Sequence, residues 1–326
     1  MSLSDLPPEL CQQILTYLPV PSLLSFGLTS CSSHALAHSS LRTLSLGVFH
    51  TRISGLMSFL DSTLCREDQR HAVSILLSKR DSRTRSQVID NQNRRAAEIL
   101  SRHATSLRDL ELVLWELKLP VTDVLKTMPT LRRLSLRFDH PHTRHASVNK
   151  TYWETSPPGS IWNLLATQDG FRDGPTTFGR LEAINLERCG LTDYQLRQII
   201  KRNPGVKEIR LQRCLTVTGA TFEYLSRSPV AHTLETLHFT QSNSREIDER
   251  ILDYIPKLTA LKSLSLRGCQ RLDPERIKSL NAKEWRIPHL VLPARADGPR
   301  DASSTTTTDS APGSGGVILE VDPAYK

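Results

Sequence analysis

Leu181-Glu182-Ala183-Ile184-Asn185-Leu186-Glu187-Arg188-Cys189-Gly190-Leu191 holds, in one short run, the unit from which this chain is built. Its apolar residues follow the pattern L-x-x-L-x-L-x-x-C-x-L, in which Ile184 and Leu186 alternate as in a strand with one buried face. The first six positions recur, with conservative replacements, at Leu41 to Leu46, Leu107 to Leu112, Leu131 to Leu136, Val206 to Leu211, Leu234 to Phe239 and Leu261 to Leu266. From Leu107 onward successive starts lie 24, 50, 25, 28 and 27 residues apart, so the one long interval is two periods. The cysteine position returns at Cys214 and Cys269. After it comes a helix start: Thr192 to Gln195 has capping-box spacing, and Asp273-Pro274 places a cap before a proline in the first turn. Leu196, Ile199 and Ile200 then share the inward face of that helix. Each unit is a strand and a helix that bury one face only against their neighbours.

Repeats of this period, with leucines and a cysteine at these positions, resemble leucine-rich repeats of the cysteine-containing class. The resemblance implies an α/β fold: a curved solenoid with parallel strands inside and helices outside. The array is expected over residues 41–292, ending on a strand at Leu290-Val291-Leu292. A loop carrying one poor repeat is expected near 137–178, around a helix from Ser160 to Thr167. Ala72 to Leu77 is a candidate strand in the weak interval between Leu46 and Leu107. Residues 293–326, rich in Pro, Gly, Ser and Thr, bury too little to fold and are expected to be a mostly disordered tail.

Residues 1–40 read differently. Asp5-Leu6-Pro7-Pro8-Glu9-Leu10 is a helix start, because proline in a first turn gives up an amide that has no partner there and Glu9 suits the positive helix end. Leu10, Ile14, Leu15 and Leu18 share a face, Pro19 and Pro21 end that helix, and Ser22 is placed to cap the next. Leu23, Leu24 and Leu28 follow, and Ser32 to Ala37 suits a third short helix. Three short helices bury little alone, so these leucines are covered either by the following chain or by another protein. The run Leu6-Pro7-x-Glu9-Leu10, Ile14-Leu15-x-Tyr17-Leu18-Pro19, Leu23-Leu24 and Leu28 resembles an F-box. Where that family often carries a basic, tryptophan-containing stretch, this chain has Cys31-Ser32-Ser33-His34. The resemblance implies docking of a Skp-type linker, and through it a cullin, by Leu6, Pro7, Leu10, Ile14, Leu15, Leu18, Leu23, Leu24 and Leu28.

Composition narrows the function. With 326 residues and 38% hydrophobic content the chain can bury a large core. It has no apolar run long enough to span a bilayer and no secretory signal pattern, so a cytoplasmic or nuclear protein is expected. Its six cysteines form no C-x-x-C pair, and three of them hold one repeat position, which reads as architecture rather than metal ligation. The net charge of +8 is concentrated between Lys79 and Arg108, where eight basic residues face Asp81, Asp90 and Glu98. That stretch reads as a solvated loop and outer helix face; the alternative is an anion-binding patch for phosphate or carboxylate groups of a substrate, and a third reading is an RNA-associated protein. His140, His142 and His145 lie together but lack a second ligand cluster, so no metal or other cofactor is expected. No phosphate loop, nucleophile elbow or H-E-x-x-H helix occurs, and no catalytic residue is assigned.

The expected function is therefore that of an adaptor: the substrate receptor of an SCF (Skp, cullin, F-box) ubiquitin ligase, holding a linker at residues 1–40 and an unknown target protein on the repeats. The target face is expected at the outward strand positions, with Arg133, Ser135, Arg137, Asn185, Glu187, Arg210, Gln212, His238, Ser265 and Arg267 as candidates. Asp109 and Glu111 make its first repeat acidic, and this mixed charge suits a protein better than a nucleic-acid backbone. The rival reading is a repeat scaffold with no part in ubiquitin transfer.

Overall fold

The structure, a computed structural model, describes residues 6–18, 20–47, 82–114, 116–138, 157–166, 179–240 and 247–293. Three helices come first: α1 (Pro8–Leu15), α2 (Val20–Gly27) and α3 (Cys31–Ser40). Pro8 occupies the first turn of α1 with Glu9 beside it, as the sequence dictates. Some details differ from expectation. Helix α1 ends at Leu15, so Leu18 lies in the turn beyond it, where its amide bonds the Leu15 carbonyl at 3.1 Å. Helix α2 begins at Val20, so Ser22 lies inside the helix instead of capping it; a proline at the second position costs nothing because that amide needs no partner. Helix α3 starts one residue earlier than the Ser32 to Ala37 reading, capped by Ser30 through the Ser33 amide at 3.0 Å. Gly27 allows α2 to lie close on α3, since a Cβ there would meet the Ala37 Cβ at 3.2 Å.

Among the described residues eight strands then form one parallel sheet in chain order. They are β1 (Thr43–Gly47), β2 (Asp109–Leu114), β3 (Arg133–Phe138), β4 (Ala183–Glu187), β5 (Glu208–Gln212), β6 (Thr236–Thr240), β7 (Ser263–Ser265) and β8 (His289–Val291). All seven sequence repeats carry a strand. An eighth copy, Ile287-Pro288-His289-Leu290-Val291-Leu292, carries the last. Helices occupy the crossovers: α4 (Ser82–His103), α5 (Leu119–Lys126), α6 (Pro157–Ala166), α7 (Asp193–Arg202), α8 (Ala220–Arg227) and α9 (Pro274–Leu280), with 3-10 turns at Glu249–Asp253 and Ile255–Lys257 before β7. Parallel strands need such crossovers because the chain must return to the same end of the sheet before each new strand. Helix α6 replaces the expected Ser160 to Thr167 helix and begins three residues earlier, with two prolines in its first turn. Candidate strand 72–77, the three histidines at 140–145, much of the 137–178 loop and everything after residue 293 lie outside the described residues.

One backbone device repeats along the sheet. The second residue of a copy offers its carbonyl to two amides of the next: Arg42 to Arg108 and Asp109, Arg108 to Arg132 and Arg133, Glu182 to Lys207 and Glu208, all at 2.7–3.0 Å. The leucine-type positions of the strands face the helices, and most are buried in a single cluster with Leu15, Leu23 and Ala37 of the N-terminal helices. The cysteine position behaves as architecture. The Cys189 Sγ lies 3.5 Å from the Leu136 carbonyl and the Cys214 Sγ 3.3 Å from the Leu186 carbonyl, so each thiol donates to the preceding strand. Burial pushes the Cys189 thiol well above its ordinary range, which keeps the proton this bond needs.

Candidate functional site

Helices α1 and α2 are apolar on two sides. In α1, Cys11 and Leu15 turn inward while Leu10 and Ile14, each one residue earlier, turn outward. In α2, Leu23 and Gly27 are buried, while Leu24 and, just past the helix end, Leu28 are not. Spacing by four puts each pair on one face of its helix. Leu10, Ile14, Tyr17, Leu18, Leu24 and Leu28 are all exposed, from 39% for Leu18 to 86% for Leu28. They are most of the large apolar side chains left in solvent among the described residues, all between positions 10 and 28. Large apolar side chains left together in solvent ordinarily mark a surface that a partner covers.

The structure divides the candidate docking residues into two sets. Leu10, Ile14, Leu18, Leu24 and Leu28 lie on the outer side with Pro7, and Leu6 is half-buried. Leu15 and Leu23 point into the core at 1% and 3% exposure, so they hold the helices to the sheet. Tyr17 joins the outer set although leucine spacing alone passes over it; it lies in the turn after α1, where helical periodicity gives no signal.

On the sheet, the face away from the helices is polar, and pairing aligns it in rows. One row runs Ser45, Glu111, Ser135, Asn185, Arg210, His238 and Ser265; another runs Arg137, Glu187, Gln212 and Thr240. These rows bring together all the target-face candidates except Arg133, which sits one row over, and Arg267, which lies exposed two residues beyond β7. Ser265 is buried at 6%. The face extends onto β1, where Ser45 donates to Glu111 at 3.1 Å and Thr43 to Asp109 at 3.4 Å.

Most charges on this face are satisfied within it. Arg133 faces Asp109 at 3.6 Å, Arg137 faces Glu187 at 3.5 Å, and Arg210 bonds Glu208. The His238 ring shares a 2.9 Å hydrogen bond with Ser263, and burial, reinforced by the Arg210 charge, holds its pKa down. Two polar atoms are left over on adjacent strands. The Arg137 Nε, held near Glu187 by charge alone, and the Asn185 Oδ1 are buried without a hydrogen-bond partner. Among the described residues no group of three or more His, Cys, Asp or Glu side chains is placed to hold a metal ion, and no helix is long and apolar enough to cross a membrane.

The described chain is thus a helical module with large apolar side chains left in solvent, leading into a parallel sheet whose face away from the helices is polar. Residues 3–43 match the F-box-like family, a span that holds all six exposed apolar side chains and runs into the start of β1. An F-box-like module points to an adaptor role. No curated protein matches the chain.

Proposed function

We propose that this protein is a non-catalytic substrate receptor of an SCF-type ubiquitin ligase, in which residues 1–40 hold a Skp-type linker and residues 41–292 form a leucine-rich-repeat array that holds the target. The observation that carries the reading is the set of six apolar side chains left in solvent on a module that matches the F-box-like family. Burying a leucine is worth about 1.5–3 kcal/mol in full, so covering these exposed groups supplies several kcal/mol of docking energy. The array reading is supported by the strand in every L-x-x-L-x-L copy and by the thiol-to-carbonyl bonds at the cysteine position. The open face around Arg137 and Asn185 carries the target, because it is polar and of mixed charge and its residues stand in rows at fixed spacing. Ubiquitin transfer then proceeds by proximity, since holding both partners raises the effective concentration of target lysines.

Because Leu10 and Ile14 point outward, Leu10→Asp with Ile14→Asp leaves the core untouched. Co-purification of the full chain with a Skp-type linker is expected to succeed for the native protein and fail for this variant, with circular dichroism unchanged. Equal capture of the linker by both removes the docking assignment.

A further inference from the structure

The junction between the N-terminal helices and the sheet holds a histidine cluster that neither docking surface uses. His34 and His38 lie four residues apart on α3, with ring centroids 4.2 Å apart. His38 in turn stacks on His103, the last residue of α4, at 4.5 Å and 29°. His103 is only 8% exposed, and its Nδ1 is buried with no hydrogen-bond partner. Three imidazoles from two elements thus lie in ring contact across the seam where α3 meets α4, the His38–His103 pair stacked and the His34–His38 pair tilted.

The surroundings of His38 and His103 favour neutral rings. Both His38 and His103 sit in the last turn of a helix, where the dipole ordinarily favours the cation. Here that effect loses. Burial lowers the pKa of His103, and the charges facing it, His38 and His34 from α3 and Arg102 from α4, all lower it further; only a hydrogen bond to the His38 backbone opposes them. His38 is lowered by burial, then by His34 and Arg102. Among the described residues no carboxylate acts on either ring.

We propose that His38 and His103, with His34 packed against them, form a proton-operated joint: with the His38 and His103 rings neutral it holds α3 tightly to α4, and mild acid loosens that seam. The locked form favours unprotonated imidazole, so the lock is complete above about pH 6.5, the ordinary histidine value, and weakens as pH falls below it. The stack that packs well when neutral would then place like charges face to face beside Arg102. The joint acts on the helices whatever protein they dock, so it stands independently of the linker assignment.

The test is hydrogen–deuterium exchange of the full chain at pH 7.5 and 5.5, corrected for intrinsic rate, alongside an NMR titration of its histidine side chains. Because burial holds the His38 and His103 rings below the ordinary histidine value, protection of α3 and of residues 103–107 is expected to fall severalfold at the lower pH while β5 is unchanged. In the His103→Phe variant, which keeps a ring but cannot be protonated there, the loss is expected to be clearly smaller than in the native chain, with only the His38 share left. Unchanged protection in the native chain overturns the proposal, as does an undiminished loss in the variant. Should His103→Phe fail to fold, the native titration decides: His38 and His103 midpoints below that of free histidine uphold the joint, and midpoints at or above it overturn it.

Discussion

Arg188, Arg213 and Gly268 each stand one residue before a buried cysteine, and each has a positive φ, 55°, 55° and 96°. The chain leaves its strand there with a left-handed turn that drops the thiol into the core. At 55° an L-residue sits inside the left-handed basin at a cost of about 1–2 kcal/mol, whereas 96° lies outside it and suits glycine alone. Gly268→Ala is therefore expected to destabilise the fold by about 1–3 kcal/mol in urea titration. The cysteines were legible in sequence because three of them share a repeat position. The left-handed turn was not, because two of its three residues are arginines, which signal nothing of the kind.

Between elements, buried asparagines tie helices to segments that lie far off in sequence. Asn203, at the end of α7, receives the Leu181 amide at 3.0 Å and donates to the Ile199 carbonyl at 2.8 Å. Asn93 of α4 acts in the same way earlier in the chain, receiving the Lys118 amide at 2.8 Å and donating to the Glu116 carbonyl at 2.9 Å. Asn203→Ala leaves the Leu181 amide buried and unpaired, so a loss of about 1–3 kcal/mol is expected in thermal or chemical unfolding. The capping box at Thr192 and Gln195 and the cap at Asp273 could be read from local spacing. The asparagine bridges could not, since their partners lie 22 and 25 residues away. Nor did the leucine pattern of α1 and α2 reveal which side chains face out. Both sides of these helices are apolar, and only packing against the rest of the fold separates the exposure of Ile14 from the burial of Leu15.

Across the full length of the described chain, stability rests in one continuous core, not in surface charge. Phe222 and Phe239, both fully buried, lie with ring centroids 4.5 Å apart between α8 and β6. Phe239→Ala is expected to cost about 3–5 kcal/mol in chemical unfolding. By contrast, the exposed pairs along one edge of the sheet, Arg132–Glu182–Lys207 and Glu235–Lys262, contribute little, because water and salt screen them. Raising salt is expected to shift the midpoint of unfolding far less than Phe239→Ala does. Because Leu15, Leu23 and Ala37 belong to the same core, the N-terminal helices are held by the sheet they precede.

Reading along the chain was enough to establish its units: a strand at every L-x-x-L-x-L copy, a capped helix after Cys189, and a leucine-rich helical module ahead of them. These follow from periodicity and capping, which act between residues a few positions apart. Three further properties came from the folded arrangement alone: which of the module's leucines are left in solvent, that the open face satisfies most of its own charges, and that three histidines from α3 and α4 meet at one seam. The physical reason is that exposure, charge pairing and ring stacking are set by neighbours distant in the chain, and no local pattern encodes them.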